Sequence, residues 1–130
     1  MVNKIQSSES ILKLLVKERL KKKKIVLCHG VFDLLHVGHI KHFESAKKVG
    51  DFLIVSLTSD QFVNKGPGRP IFNTDVRAKM IQSLSIVDAV IISKTESAEK
   101  MINLVKPDIY FKGPDYKDNT KDHTKKIFKE

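Results

Sequence analysis

Four short, nearly unbroken runs of apolar residues constrain this chain more than any other feature. They are IVLC (25–28), FLIVSL (52–57), VDAVII (87–92) and DIYF (108–111). A strand with one face in water alternates apolar and polar residues, whereas a strand that is apolar throughout has both faces covered. Between the runs lie segments with apolar residues at helical spacing, over residues 8–22, 37–49, 74–84 and 97–105. Ser8 or Ser10 suits the first as a cap, and Asn73 or Thr74 the third. Gly50 closes the second, and Pro107 lies just past the fourth. Residues 61–70 contain Gly66, Pro67, Gly68 and Pro70 and read as a loop. Residues 112–116 read as a turn, and the polar tail reads as helical to Glu130. This alternation predicts an α/β fold, a Rossmann-like doubly wound parallel sheet with helices on both faces. The chain has 130 residues, so one domain over 1–130 is expected.

Composition removes several classes. With 41% hydrophobic and 30% charged residues, the chain can bury a core and is not a disordered tail. No apolar run approaches about 18 residues, so no membrane span is predicted. The start, MVNKIQSSES, lacks the apolar centre of a secretory signal. Cys28 is the only cysteine, so it forms no internal disulfide and builds no thiolate zinc site alone, and a cytoplasmic protein is expected. Lys and Arg number 24 against 15 Asp and Glu, a net charge of +9. That surplus attracts polyanions: nucleic acid, an acidic membrane face, or phosphorylated small molecules. The lysine run 21–24 has no interleaved aromatics of the kind that stack on single strands. It reads as the solvated end of the first helix, with cations at the negative pole of the dipole. Nucleic acid and membrane are therefore not the expected partners.

In an open parallel sheet, ligands bind beyond the carboxyl ends of the strands. The segments there are 29–39, 58–60, 93–95 and 112–116. The first belongs to the most informative stretch, CHGVFDLLHVGHIKHF (28–43). Gly30 follows a strand, where a missing side chain lets another group approach the backbone. His36, Gly38 and His39 bracket the start of a helix, whose unpaired N–H groups and positive dipole end suit phosphate. Gly38 removes bulk between the two imidazoles, and these can donate hydrogen bonds to phosphate oxygens as charge develops. This suits nucleotidyl transfer, in which a protein mainly positions groups and stabilises charge. His29 and His42 read more plainly as cap or surface residues. Zinc fits poorly: His36, His39 and His42 at spacing three and three turn through about 240° of helix, too far for one ion.

The string GVFDLLHVGH resembles the signature of the HxGH nucleotidyltransferase superfamily, the cytidylyltransferase-like group. Further stretches are similar too: VGDFLIVSLTSDQF to the second strand, GRPIFNTDVRAKMI to the basic loop and the helix after it, and VDAVII to a later strand. LVKPDIYFKGPDYK is similar first to the adenylyltransferase domains of ADP-heptose synthases and next to glycerol-3-phosphate cytidylyltransferases. The likeness covers residues 24–117. It implies that His36 and His39 contact the triphosphate and stabilise the pentacoordinate α-phosphorus. Gly30, Val31, Phe32 and Gly38 would line the nucleotide site. Lys65 or Arg69 would meet phosphate, Arg77 would support phosphate binding, and Asp115 would lie near the nucleotide or its magnesium. Asp33 would hold the loop through backbone hydrogen bonds.

The implied reaction moves AMP or CMP from ATP or CTP, with Mg²⁺, onto a phosphorylated small molecule such as heptose 1-phosphate, releasing pyrophosphate. A homodimer is common among such enzymes. A non-catalytic nucleotide-binding module is the alternative from another class. One feature of the group is missing: no serine follows Ser97, where relatives open a last helix with a Ser/Thr-rich phosphate-binding segment. A fragment of a longer protein, an element supplied by a partner, or an incomplete form of the pattern would each explain this.

Overall fold

The four apolar runs lie side by side in one sheet because the helices between them carry the chain back to the starting edge, as parallel pairing requires. The computed structural model describes residues 3–64, 66–95 and 97–112. In chain order it forms β1 (Ile5–Gln6), α1 (Ser8–Leu20), β2 (Ile25–Gly30), α2 (Val37–Lys48), β3 (Phe52–Thr58), a 3₁₀ turn (Asp60–Phe62), α3 (Thr74–Gln82), β4 (Ala89–Ser93), α4 (Glu99–Val105) and β5 (Ile109–Tyr110). The sheet order is β1-β4-β3-β2-β5, and every neighbouring pair is parallel. The order reverses at β2: β3 and β4 build outward on one side of it, and β5 returns to the other.

Successive residues of a strand face opposite sides, so the sheet makes two cores. Ile25, Leu27, Ile54 and Ile91 pack with Ile11 and Leu15 of α1 and Met101 and Ile102 of α4. Val26, Cys28, Leu53, Val55 and Val90 pack with Phe43 and Ala46 of α2 and Ala78 and Ile81 of α3. This is the doubly wound arrangement that the apolar runs predict. Burial pushes the Cys28 thiol up to about 12, so it behaves as a small hydrophobe.

The element ends differ from the sequence reading for identifiable reasons. β1 is absent from that reading because two residues carry no periodicity; it exists because the edge of β4 takes Ile5 and Gln6 opposite Val90 and Ile91. β2, β3 and β4 run on past their apolar cores through His29–Gly30, Thr58 and Ser93. Polar side chains do not stop a backbone ladder. The α1 cap is Ser7 rather than Ser8 or Ser10, with Ser10 as its reciprocal partner. The helix α3 cap is Asn73, whose side chain accepts from the Val76 N–H. In the lysine run, Lys21 is the C-cap of α1, and Lys23 pairs with Glu18 at 2.9 Å. The helix expected for the tail lies outside the described residues. Among those described, no helix is long and apolar enough to cross a membrane.

Gly50 shows how tightly β2 and β3 are joined. A Cβ there would come within 2.2 Å of a Val26 methyl and 3.1 Å of the Lys24 carbonyl oxygen. Neither can retreat, since Val26 is fully buried and Lys24 O accepts the Asp51 and Phe52 N–H groups. Gly50→Ala is therefore expected to cost about 1–3 kcal/mol by overpacking, read as a lower urea midpoint. An unchanged midpoint would contradict this packing.

Candidate active site

β2 ends at Gly30, and its continuation turns over the carboxyl end of the sheet before entering α2. The turn is shaped by Phe32, whose φ of 54° lies in the left-handed region, costly for an aromatic residue. Its buried ring sits where a Gly30 side chain would be: a Cβ on Gly30 would lie 2.8 Å from the Phe32 ring. The space that Gly30 leaves is thus occupied by the protein's own ring rather than left open. Phe32 in turn meets His39 edge-on at 5.4 Å between centroids, and Phe43 at 5.1 Å. Phe32 therefore supports His39 from beneath.

The two motif histidines cap their own helix. His36 is the N-cap of α2. Its Nδ1 accepts the Gly38 N–H at 3.0 Å, and the Nδ1 of His39 accepts the His36 N–H at 3.2 Å. This is a reciprocal capping box built with imidazoles. It also assigns the tautomers: a neutral ring that accepts through Nδ1 carries its proton on Nε2, on the far side from the cap. The rings lie 4.0 Å apart and are tilted by 32°. Two N–H donors are therefore fixed beside the positive end of a helix. Gly38 has a steric role, since a Cβ there would lie 2.8 Å from His36 Cε1 and would displace the ring.

The loop before α3 is tied to this turn. The Asp33 side chain is wholly buried and accepts from the Ile71 N–H at 2.6 Å, the Phe72 N–H at 3.0 Å and Arg69 Nε at 3.0 Å. Burial raises its pKa, but those donors outweigh burial and hold the carboxyl below the usual carboxylate range. Asp33 has the loop-holding role expected of it. Arg69 also donates Nη2 to the Asp33 carbonyl at 2.8 Å. Two faces of its guanidinium thus fasten the loop, where the resemblance implies a phosphate ligand.

Arg77 likewise turns inward. Its side chain is fully buried, though it is the most polar of residues. Nε donates to Phe72 O at 2.8 Å; Nη1 donates to Val31 O at 2.9 Å and Thr58 O at 2.8 Å; Nη2 donates to Asp60 at 2.6 Å. With these donors engaged and no exposed surface, Arg77 acts on any ligand through the backbone it fixes rather than by contact. It is a positioning residue, so any support it gives to phosphate binding is indirect, and a direct catalytic contact by Arg77 does not fit this burial. Asp60 opens the 3₁₀ turn. Burial raises its pKa, and Arg77 and Thr74 more than offset this, so it stays below its usual range.

His29 is neither a cap nor a surface residue. It lies near the end of β2, its Nδ1 hydrogen-bonded to the Ser56 hydroxyl and its Nε2 3.4 Å from the Thr58 hydroxyl. Burial lowers its pKa to about 4. His42 is half-buried, 5.0 Å from the Phe111 ring. The structure thus gathers Gly30, Val31, Phe32, His36, Gly38 and His39 at one mouth, with Arg69 and Arg77 as braces behind it. Lys65 and Asp115 lie outside the described residues. Sequence reasoning missed the brace made by Arg77; its signal was the i, i+4 spacing of Arg77 and Ile81, which puts the charge on the buried face of α3.

The chain is similar to known proteins. A family model described as cytidylyltransferase-like matches residues 27–130. The bifunctional protein HldE of Campylobacter jejuni subsp. doylei is 46% identical over 117 residues, covering 88% of this chain and 25% of that protein. HldE of Syntrophotalea carbinolica is 38% identical over 120 residues, covering 91% of this chain and 24% of its own length. This chain thus spans about a quarter of the curated relatives it matches. Among solved structures, the lipopolysaccharide core biosynthesis protein from Thermoplasma volcanium superposes with a TM-score of 0.62 at 36% identity, over 68% of this chain and 72% of that one.

Proposed function

The chain belongs to the cytidylyltransferase-like family of nucleotidyltransferases, and from that premise we propose that it transfers AMP, or failing that CMP, from a nucleoside triphosphate to the phosphate of a sugar 1-phosphate. The observation that carries this reading is the imidazole capping box, which holds two Nε2–H donors at the N-terminus of α2. A sugar acceptor is supported by the solved neighbour, which is described as a lipopolysaccharide core biosynthesis protein; the heptose type rests on the resemblance to ADP-heptose synthases alone.

In this reaction an oxygen of the acceptor phosphate attacks the α-phosphorus in line. A new P–O bond forms, the bond from the α-phosphorus to the bridging oxygen breaks, and its electron pair leaves with pyrophosphate. A phosphate monoester is largely dianionic at neutral pH, so the attack requires no protein base. The chain's contribution is charge stabilisation and orientation. His36 and His39 donate to the non-bridging oxygens as charge builds there, and the N-terminal amides of α2 add their field. The buried ties from Asp33, Arg69 and Arg77 keep those donors in place, so they need no reorganisation during reaction. The net charge of +9 attracts both anionic substrates to the protein.

Magnesium in this scheme arrives with the triphosphate, as part of the substrate. Among the described residues no group of three or more His, Cys, Asp or Glu could hold a metal ion, and Asp33 and Asp60 are already ion-paired. Mg²⁺ typically keeps its waters and binds through substrate phosphates, so its place in this scheme is on the triphosphate. No step is assigned to the ion beyond charge neutralisation on the phosphates.

The test has two parts. With Mg²⁺ present, ATP or CTP should raise the melting temperature selectively over GTP and UTP, because a ligand that binds only the folded state stabilises it by mass action. Pyrophosphate should then appear only when that nucleotide and a sugar 1-phosphate are both present. Selective binding without turnover would leave a nucleotide-binding module and sink the transferase reading.

A further inference from the structure

We propose that His29 is a positioning residue for the transfer step, a clasp that ties β2 to β3 on the face of the sheet opposite Arg77. This rests on the function proposed above. The geometry begins with the register: His29 lies opposite Ser56, and Thr58 lies two residues further along β3. All three side chains point to the α1/α4 face, by alternation with Leu27 and Ile54. Ser56 and Thr58 are buried, and the imidazole spans both hydroxyls. On the other face, Arg77 Nη1 spans the Val31 and Thr58 carbonyls. The ends of the same two strands are thus pinned from both sides, and β2 runs directly into the turn that carries Phe32, His36 and His39.

The chemistry of the clasp is balanced. A neutral imidazole offers one N–H and one lone pair, and each hydroxyl can donate or accept. Burial keeps the ring neutral down to about pH 4, so the clasp is uncharged wherever the protein is folded near neutrality. Both ring nitrogens are engaged, so the ring acts through the backbone and not by touching substrate. Among the described residues, the two hydroxyls have no comparable side-chain partner if the imidazole is removed. The expected consequence is a looser β2 end, with His36 and His39 sampling wider positions. Loss of alignment lowers the rate of the step in which charge develops and affects ground-state binding much less.

The experiment uses the full chain, with pyrophosphate release as the assay. His29→Leu should lower kcat by about tenfold to 100-fold while KM for the nucleotide stays within about twofold. His29→Gln, which returns a polar group near Nε2, should recover most of the loss. A parental kcat in His29→Leu, or a Gln variant no better than Leu, would overturn the clasp. Should His29→Leu not fold, His29→Asn carries the test: it keeps the link to Ser56 and drops the one to Thr58, and a parental kcat again overturns the proposal. Failure of the function is distinguished by a second readout. If the parent releases no pyrophosphate, that reading is lost, but amide exchange at Val31 and Asp33 still reports the clasp. Faster exchange in the variant supports it, and unchanged exchange refutes it.

Discussion

His39→Ala is expected to lower the rate of pyrophosphate release by about 100-fold or more, the scale of one lost transition-state donor. The geometry makes a sharper version available. His39 has two duties: its Nδ1 accepts the His36 N–H, and its Nε2 carries the donor proton. Alanine removes both. Asparagine places its side-chain oxygen near the Nδ1 position and has nothing at Nε2. His39→Asn should therefore keep the capping interaction, hold the melting temperature close to the parent's, and still lose about 100-fold in rate. His36→Ala would mix the two effects, since loss of an N-cap alone costs about 1 kcal/mol. The measurement is turnover at saturating nucleotide and acceptor, beside thermal unfolding of each variant. An Asn variant as fast as the parent would take the His39 donor out of the chemistry, whatever the Ala variant did.

What was legible in the sequence follows from how local each interaction is. The strands and helices were readable because their signals repeat within a few residues, as in IVLC and FLIVSL. The histidine box was readable because His36, Gly38 and His39 act within one helical turn. Its purpose was only half readable: that Nδ1 caps the helix and leaves the proton on Nε2 depends on ring orientation, which no spacing encodes. Gly30 marked a close approach, and the group the structure shows there is the Phe32 ring, two residues away. The ties behind the mouth were the least legible. Asp33 bonds Arg69, Ile71 and Phe72, partners that a loop brings back from 36 to 39 positions along the chain. His29 meets Ser56 only because β2 and β3 pair in one register. Arg69 reads as a ligand for phosphate from its loop alone, and the internal acceptors it meets in Asp33 are visible only in the fold.

Arg77 carries the second large effect, on stability. Its guanidinium is fully buried and satisfies the Phe72, Val31 and Thr58 carbonyls together with the Asp60 carboxylate. Arg77→Met conserves much of the volume but leaves those acceptors without their donor. Asp60 stays partly in water, so the cost falls on the three carbonyls; leaving a buried acceptor unsatisfied costs about 1–3 kcal/mol each, together a large part of the 5–15 kcal/mol typical of a whole domain. Arg77→Lys should recover only a minor part, because one ammonium cannot reach four acceptors arranged for a planar fork. A urea midpoint within experimental scatter of the parent would refute the brace. The acid limb supplies an independent check. Asp60 has a folded pKa below its ordinary 3.8, so its contribution is present above that value and is lost as pH falls through the folded pKa. Arg77 is the main source of that depression, and removing it returns Asp60 toward its ordinary range. The parent should therefore lose stability on acidification below about pH 4 more steeply than Arg77→Met, with Asp33, whose pKa is depressed by other donors, contributing the same slope to both. Equal slopes in parent and variant would mean that Arg77 does not hold Asp60 in its charged form.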